Sequence, residues 1–141
     1  MSENYKVAAI SELEIPPMPG NPRWSNIRQR LGIGAFGVNA WTASEAGMEV
    51  IEDHDELGES AGKHEELYIV LKGSATFTVD GNEIPGPPGT CVFVSDPAVK
   101  RKAVANEAET TILAVGAVRG EAFEPSRWER SSPALDRKSV V

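Results

Sequence analysis

The chain has 141 residues, 40% of them hydrophobic, enough for the core of one domain without disulfides. A net charge of −7 argues against nucleic acid as the main partner, because phosphate binding needs a basic surface. No apolar run approaches the about 20 residues that a membrane helix needs, and MSENYKVAAI lacks a basic segment followed by an apolar one, so no membrane contact, no signal peptide and a cytoplasmic location are expected.

The opening residues read as an arm. A short strand is expected around Tyr5–Ile10, followed by the proline-rich IPPMPGNP. In PRWSNIRQRL, Pro22 stands near a predicted helix start, and Trp24, Ile27 and Leu31 follow at helical spacing. GIGAFG at 32–37 matches G-x-G-x-x-G, but a helical stretch precedes it and the strand-like VNAWTA follows. A dinucleotide fingerprint requires the reverse order, so these glycines read as a turn into a strand.

From residue 33 the pattern is β. Strands are predicted at 34–42, 47–52, 65–72, 74–79, 82–84, 90–95, 100–105 and 110–117, with Asp80-Gly81 as a hairpin signal. Many short strands with no helix between them point to a sandwich or barrel. In ELYIVL, Glu66, Tyr68 and Val70 share one face, and Leu67, Ile69 and Leu71 share the other. Both faces are largely apolar, so the strand is expected to be covered on both sides. Alternation in Lys100–Arg101–Lys102 sends Arg101 to one face and the lysines to the other. The single cysteine, Cys91, excludes an internal disulfide and is expected to be a buried, inert thiol in TCVFV. Trp24, Trp41 and Trp128 are expected to pack the arm, sheet and tail. From Gly120 the chain turns polar, an extension or short helix to about Trp128 with a frayed end.

The acid is concentrated: residues 45–66 hold nine carboxylates and one lysine, and both histidines, His54 and His64, lie among them. Acidic neighbours raise the pKa of His54 and favour its cation. An inward Glu66 in a β interior needs a partner, since burying a lone carboxylate is costly.

EELYIVLKGSATFTVDG (65–81) resembles the first sequence motif of the cupins, a glutamate followed by six residues and a glycine, fitted by Glu66 and Gly73. GNEIPGPPGTCVFVSDPAVKRKAVAN (81–106) resembles their second motif. The chain is thus similar to small single-domain bacterial cupins. The resemblance implies an all-β double-stranded β-helix, a jelly-roll barrel at 34–118. An arm and short helix at 1–33 and an extension at 119–141 complete one domain. It also implies pairing through an outer sheet into a homodimer.

Metal-binding cupins carry H-x-H, the glutamate and a later histidine. Here the matching positions hold Ser60, Gly62, Glu66 and Arg101, so only the glutamate survives and the metal motif is degenerate. Two site readings stay open. In one, no metal is needed: Arg101 replaces it and holds an oxygen of a small molecule, which Glu66, His64, Tyr68 and His54 also contact. Glu66 or His64 then moves a proton in an isomerase- or lyase-type reaction. In the other, residues 55–63 are an insertion, and His54, His64 and Glu66 hold one divalent transition metal, iron or manganese for an oxygenase, otherwise zinc or nickel. A third reading, a structural or regulatory barrel with a closed interior, predicts no pocket.

Overall fold

The computed structural model describes residues 4–58 and 61–130. Ser60, part of the 55–63 loop and the end of the tail, on which expectations were placed above, lie outside the described residues. A 3-10 turn at Ile10–Leu13 leads into β1 (Glu14–Ile15) and β2 (Arg23–Ser25), and the helix α1 is Ile27–Leu31. Eight further strands follow: β3 (Gly37–Thr42), β4 (Glu49–His54), β5 (Glu65–Lys72), β6 (Ala75–Val79), β7 (Asn82–Gly86), β8 (Cys91–Val94), β9 (Arg101–Ala105) and β10 (Thr111–Ala117). A last short helix, α2, is Arg127–Arg130.

The strands form two antiparallel sheets. One runs β1-β2-β3-β10-β5-β8 and the other β4-β9-β6-β7. Tyr68, Val70 and Ile112 of the first meet Val50, Phe77 and Ala103 of the second in a buried core. A second cluster, Leu13, Ile27, Val38 and Ala40, seals α1 and the 3-10 turn onto β3. The predicted alternation of β5 holds: Tyr68 and Val70 are buried, and Leu67 and Ile69 are half-buried. Asp80 and Gly81 both have positive φ (52° and 81°), the backbone that a two-residue hairpin between β6 and β7 requires.

Four expectations are corrected. Tyr5–Ile10 is not a strand, because it has no strand beside it; the arm pairs instead through β1, whose Ile15 lies opposite Trp24. The helix does not begin at Pro22. Residues 23–25 are drawn into β2 by pairing with β3, where Trp24 lies opposite Trp41 and its Nε1 donates to Asn39 Oδ1 at 3.0 Å. Only Ile27 to Leu31 remain helical, ended by Gly32 in the left-handed region. The outer face of β5 is only partly covered, with Leu71 43% exposed and Phe93 on the neighbouring β8 56% exposed. Cys91 points the same way as Phe93 and is exposed, because the cover that the arm gives β3 does not reach the β8 edge.

An exposed Cys91 should react with Ellman's reagent in the native protein, one thiol per chain, at a rate close to that in denaturant. Slow labelling at high protein concentration that speeds up on dilution is the outcome expected if two copies pair on this face.

Candidate functional site

The site forms where the two sheets face each other at one end of the barrel. β4 ends at His54 and β9 begins at Arg101, and these residues pair across the strands. Glu66 comes from β5 in the other sheet, two residues before the buried Tyr68, so both project inward.

Arg101 is 1% exposed, whereas Lys100 is exposed and Lys102 half-buried, as alternation requires. Every nitrogen of its guanidinium is used. Nε donates to the Val99 carbonyl at 2.8 Å, and NH2 to the Asp96 carbonyl at 3.4 Å. NH1 donates to Glu66 Oε1 at 2.9 Å and to the Tyr68 hydroxyl at 3.5 Å. The Tyr68 hydroxyl in turn donates to Glu66 Oε1 through a short bond. Arg101 therefore sits behind Glu66 rather than on the cavity wall, and the direct ligand contact expected of it becomes a positioning contact.

His54 lies on the open side of Glu66. Its Nδ1 donates to the Glu52 carbonyl at 2.6 Å, which aims Nε2 inward, 3.2 Å from Glu56 Oε2 and 3.7 Å from Glu66 Oε1. Burial works against charge on His54, but bonds to Glu56, Glu66 and the Glu52 carbonyl outweigh it and push its pKa up to about 10. Burial likewise opposes charge on Glu66. Bonds from His54 and Tyr68 and the charges of His54 and Arg101 overcome it and hold the carboxyl below its usual range. Burial, then the Glu66 carboxylate, raise Tyr68 well above an ordinary phenol, so it stays protonated as a donor.

His64 lines the same cavity but does not join His54 and Glu66 in one donor set. It is buried, with Nε2 3.2 Å from the Glu124 carbonyl and its ring 5.3 Å from Phe123, and Nδ1 faces Glu56 Oε1 at 4.0 Å. The tail thus covers His64. Gly116 makes room: a Cβ there would stand 3.1 Å from Glu66 Cγ and 3.3 Å from His64 Cβ.

The donor set that the geometry assembles is His54, Glu56 and Glu66, whose ligand atoms lie within 4.8 Å of one another. Glu56 takes the place expected of His64. Its signal was in the sequence: His54-Asp55-Glu56 keeps the two-residue step of H-x-H, with the insertion following it instead of interrupting it. Glu56 is 6% exposed, held by its backbone N–H to the Pro97 carbonyl and its carbonyl to Lys63. One imidazole and two carboxylates suit a borderline divalent cation such as manganese, iron or zinc.

The cavity in front of these residues has a volume of about 1240 Å³. The barrel supplies Glu66, Tyr68 and His54, the arm supplies Pro17 and Trp24, and the tail supplies Phe123 and Trp128. An open cavity of this size contradicts a closed interior.

Two outcomes follow. Arg101→Ala leaves Glu66 and Tyr68 without their buried partner and should cost roughly 3–5 kcal/mol in denaturant unfolding; Arg101→Met combined with Glu66→Gln should recover much of it. Because the folded His54 pKa is raised, its stabilising contribution is complete below about pH 6.5 and is lost as pH climbs through about 10. NMR titration of the His54 ring should show the imidazolium persisting at pH 8, and Glu56→Gln should bring the midpoint down.

No protein-family model matches the chain, and no curated protein matches it. Solved structures do. A cupin protein from Bacteroides fragilis is 18% identical at a TM-score of 0.60, covering 99% of this chain and 100% of that one. An uncharacterized protein with a double-stranded β-helix domain from Klebsiella pneumoniae is 19% identical at a TM-score of 0.62, covering 87% and 98%. A putative sugar phosphate isomerase from Acidithiobacillus ferrooxidans is 25% identical at a TM-score of 0.57; the match covers 70% of this chain and spans only 60% of that protein's length. In the described residues no helix is long and apolar enough to cross a membrane. The chain therefore shares the double-stranded β-helix fold of these cupin structures, and the Glu66–Gly73 spacing fits that likeness.

Proposed function

We propose that the chain binds a small polar molecule at the mouth of the barrel and moves a proton on it, in an isomerase- or lyase-type reaction that needs no metal. The observation that carries this reading is the Glu66–His54 pair, a carboxylate and an imidazolium 3.7 Å apart on the wall of an open cavity. Two groups whose surroundings push their pKa values apart are the usual arrangement of a base and an acid. Glu66 is the proton acceptor. Its Oε1 carries the bonds from Arg101 and Tyr68, which fix the carboxylate with both donors on one oxygen. His54 is the proton donor, oriented by the Glu52 carbonyl. At neutral pH both start in the protonation state their task needs. Each also weakens the other, and a substrate oxygen inserted beside His54 relieves that weakening by taking the bond from Glu66. The isomerase neighbour supports this class of chemistry as a precedent on a similar barrel.

A second reading rests on the three convergent donors. His54, Glu56 and Glu66 would hold a divalent cation, which supplies a Lewis acid for a substrate oxygen. Arg101 bonded to Glu66 remains the fixed cation behind that carboxylate.

The test uses protein purified without an affinity tag. Aldoses and ketoses, with and without phosphate, are incubated in D2O, and NMR follows deuterium entering the carbon next to the carbonyl. Exchange should survive chelator and fall by about 10²–10⁴-fold in Glu66→Gln. Exchange undiminished in that variant would overturn Glu66 as the base. One bound transition metal per chain, lost in Glu56→Gln together with exchange, replaces the first reading by the second.

A further inference from the structure

The cavity has a wall that the proton chemistry does not use. Trp24 comes from β2, Trp41 from β3 and Trp128 from α2, and all three line the cavity. They are the chain's three tryptophans. Trp24 and Trp128 meet edge to face with ring centroids 5.4 Å apart, and Trp41 and Trp128 are 6.3 Å apart at 49°. These spacings leave no slot between the rings, so they make one continuous aromatic surface rather than a cage. Trp128 is 38% exposed, and Trp24 and Trp41 are half-buried. Expecting all three only to pack the arm, sheet and tail missed that they pack against one another around open space.

The rest of the lining has a marked chemical bias. Six carboxylates line the cavity, Glu49, Glu52, Asp55, Glu56, Glu66 and Glu129, and no lysine or arginine does among the described lining residues. Glu129 is neutralised by Arg28 and also accepts from Gln29 and Asn39. Glu56 and Glu66 share His54. Glu49 and Glu52 remain exposed, and Asp55 half-buried. An ionised carboxylate can only accept hydrogen bonds. The occupant must therefore bring donors. A phosphate brings acceptors and a like charge, which costs affinity and slows entry. A hydroxylated ring meets both demands. Its hydroxyls donate to the carboxylates, and the C–H groups of one face, slightly positive, lie on the negative faces of the indoles.

We infer that the tryptophan wall is a ring-binding subsite and that the cavity takes an unphosphorylated, hydroxylated ring, a neutral sugar. This rests on the reading of the cavity as the substrate site and narrows the substrate class. It differs from the precedent, a putative sugar phosphate isomerase.

Because every tryptophan lies in this wall, intrinsic fluorescence reports the subsite directly. The full chain is titrated with glucose, galactose and mannose, with their 6-phosphates, and with glucosamine, the same ring carrying an ammonium. At least one neutral sugar should give a saturable change and reduce acrylamide quenching, with its 6-phosphate binding about tenfold more weakly or worse. Saturable binding of a neutral sugar that shows no deuterium exchange supports the subsite and counts only against the catalytic assignment, which separates failure of the one from failure of the other. Trp128→Ala, on the short terminal helix, should weaken binding by about tenfold or more. Four results overturn the inference: no saturable change with any sugar, quenching unaltered at saturation, a phosphate binding as well as its parent sugar, or glucosamine binding about tenfold tighter than the neutral rings. The quenching measurement needs no variant, so it decides even where Trp128→Ala fails to fold.

Discussion

A guanidinium buried between two β-sheets sets the terms for everything around it. Arg101 cannot lose its proton in a protein, so its charge must be matched wherever it is buried. Glu66 matches the charge, Tyr68 fills the remaining space on the same carboxylate oxygen, and two backbone carbonyls take the other nitrogens. The contacts to Glu66 and Tyr68 tie β9 to β5 and hence one sheet to the other, while the two carbonyls belong to the loop that leads into β9. The inward carboxylate and the packed barrel end are two consequences of one buried cation.

That cation also explains why the acidic stretch bends back on the barrel. His54 lies opposite Arg101 on β4, and two adjacent positive groups would repel unless carboxylates stood among them. Glu66 serves one side, and Glu56, carried just past the strand end, serves the other. His64 then fills the space behind Glu56, where the tail closes over it through Phe123 and the Glu124 carbonyl. The extension is part of the site's construction, since removing its cover would expose a histidine packed against a buried acid.

Which parts could be read from the chain depends on how local the signal is. The β strands of the barrel were legible because alternation and turn residues act over a few neighbours, and Asp80-Gly81 needs no partner to declare a hairpin. Glu66 and Arg101 were legible together because each is implausible inside without the other. The arm was not: Trp24 has helical spacing, and only the β3 strand, encountered later in the chain, converts it to a strand residue. His64 and Glu56 exchanged places for a related reason. Parity along β5 cannot say where regular pairing starts, and the strand begins at Glu65, one residue after His64. Cys91 was misread because an apolar run specifies a strand without saying whether its second face is covered.

Counting charge shows what separates the two readings of the site. Two carboxylates, Glu56 and Glu66, face two cations, Arg101 and the His54 imidazolium, and the sum is zero. A divalent cation held by the same donors requires His54 as a neutral ligand, so its binding must release a proton and leaves the cluster with one positive charge. In the metal-free state the balance is already complete, and the charge left over is the negative charge at the cavity edge. On the proposed reading, the same arithmetic bears on both the chemistry and the choice of ligand. In the proposed reaction His54 gives a proton as Glu66 takes one, so the centre builds up no net charge, and an acidic edge admits a neutral, donor-rich ring more readily than an anion.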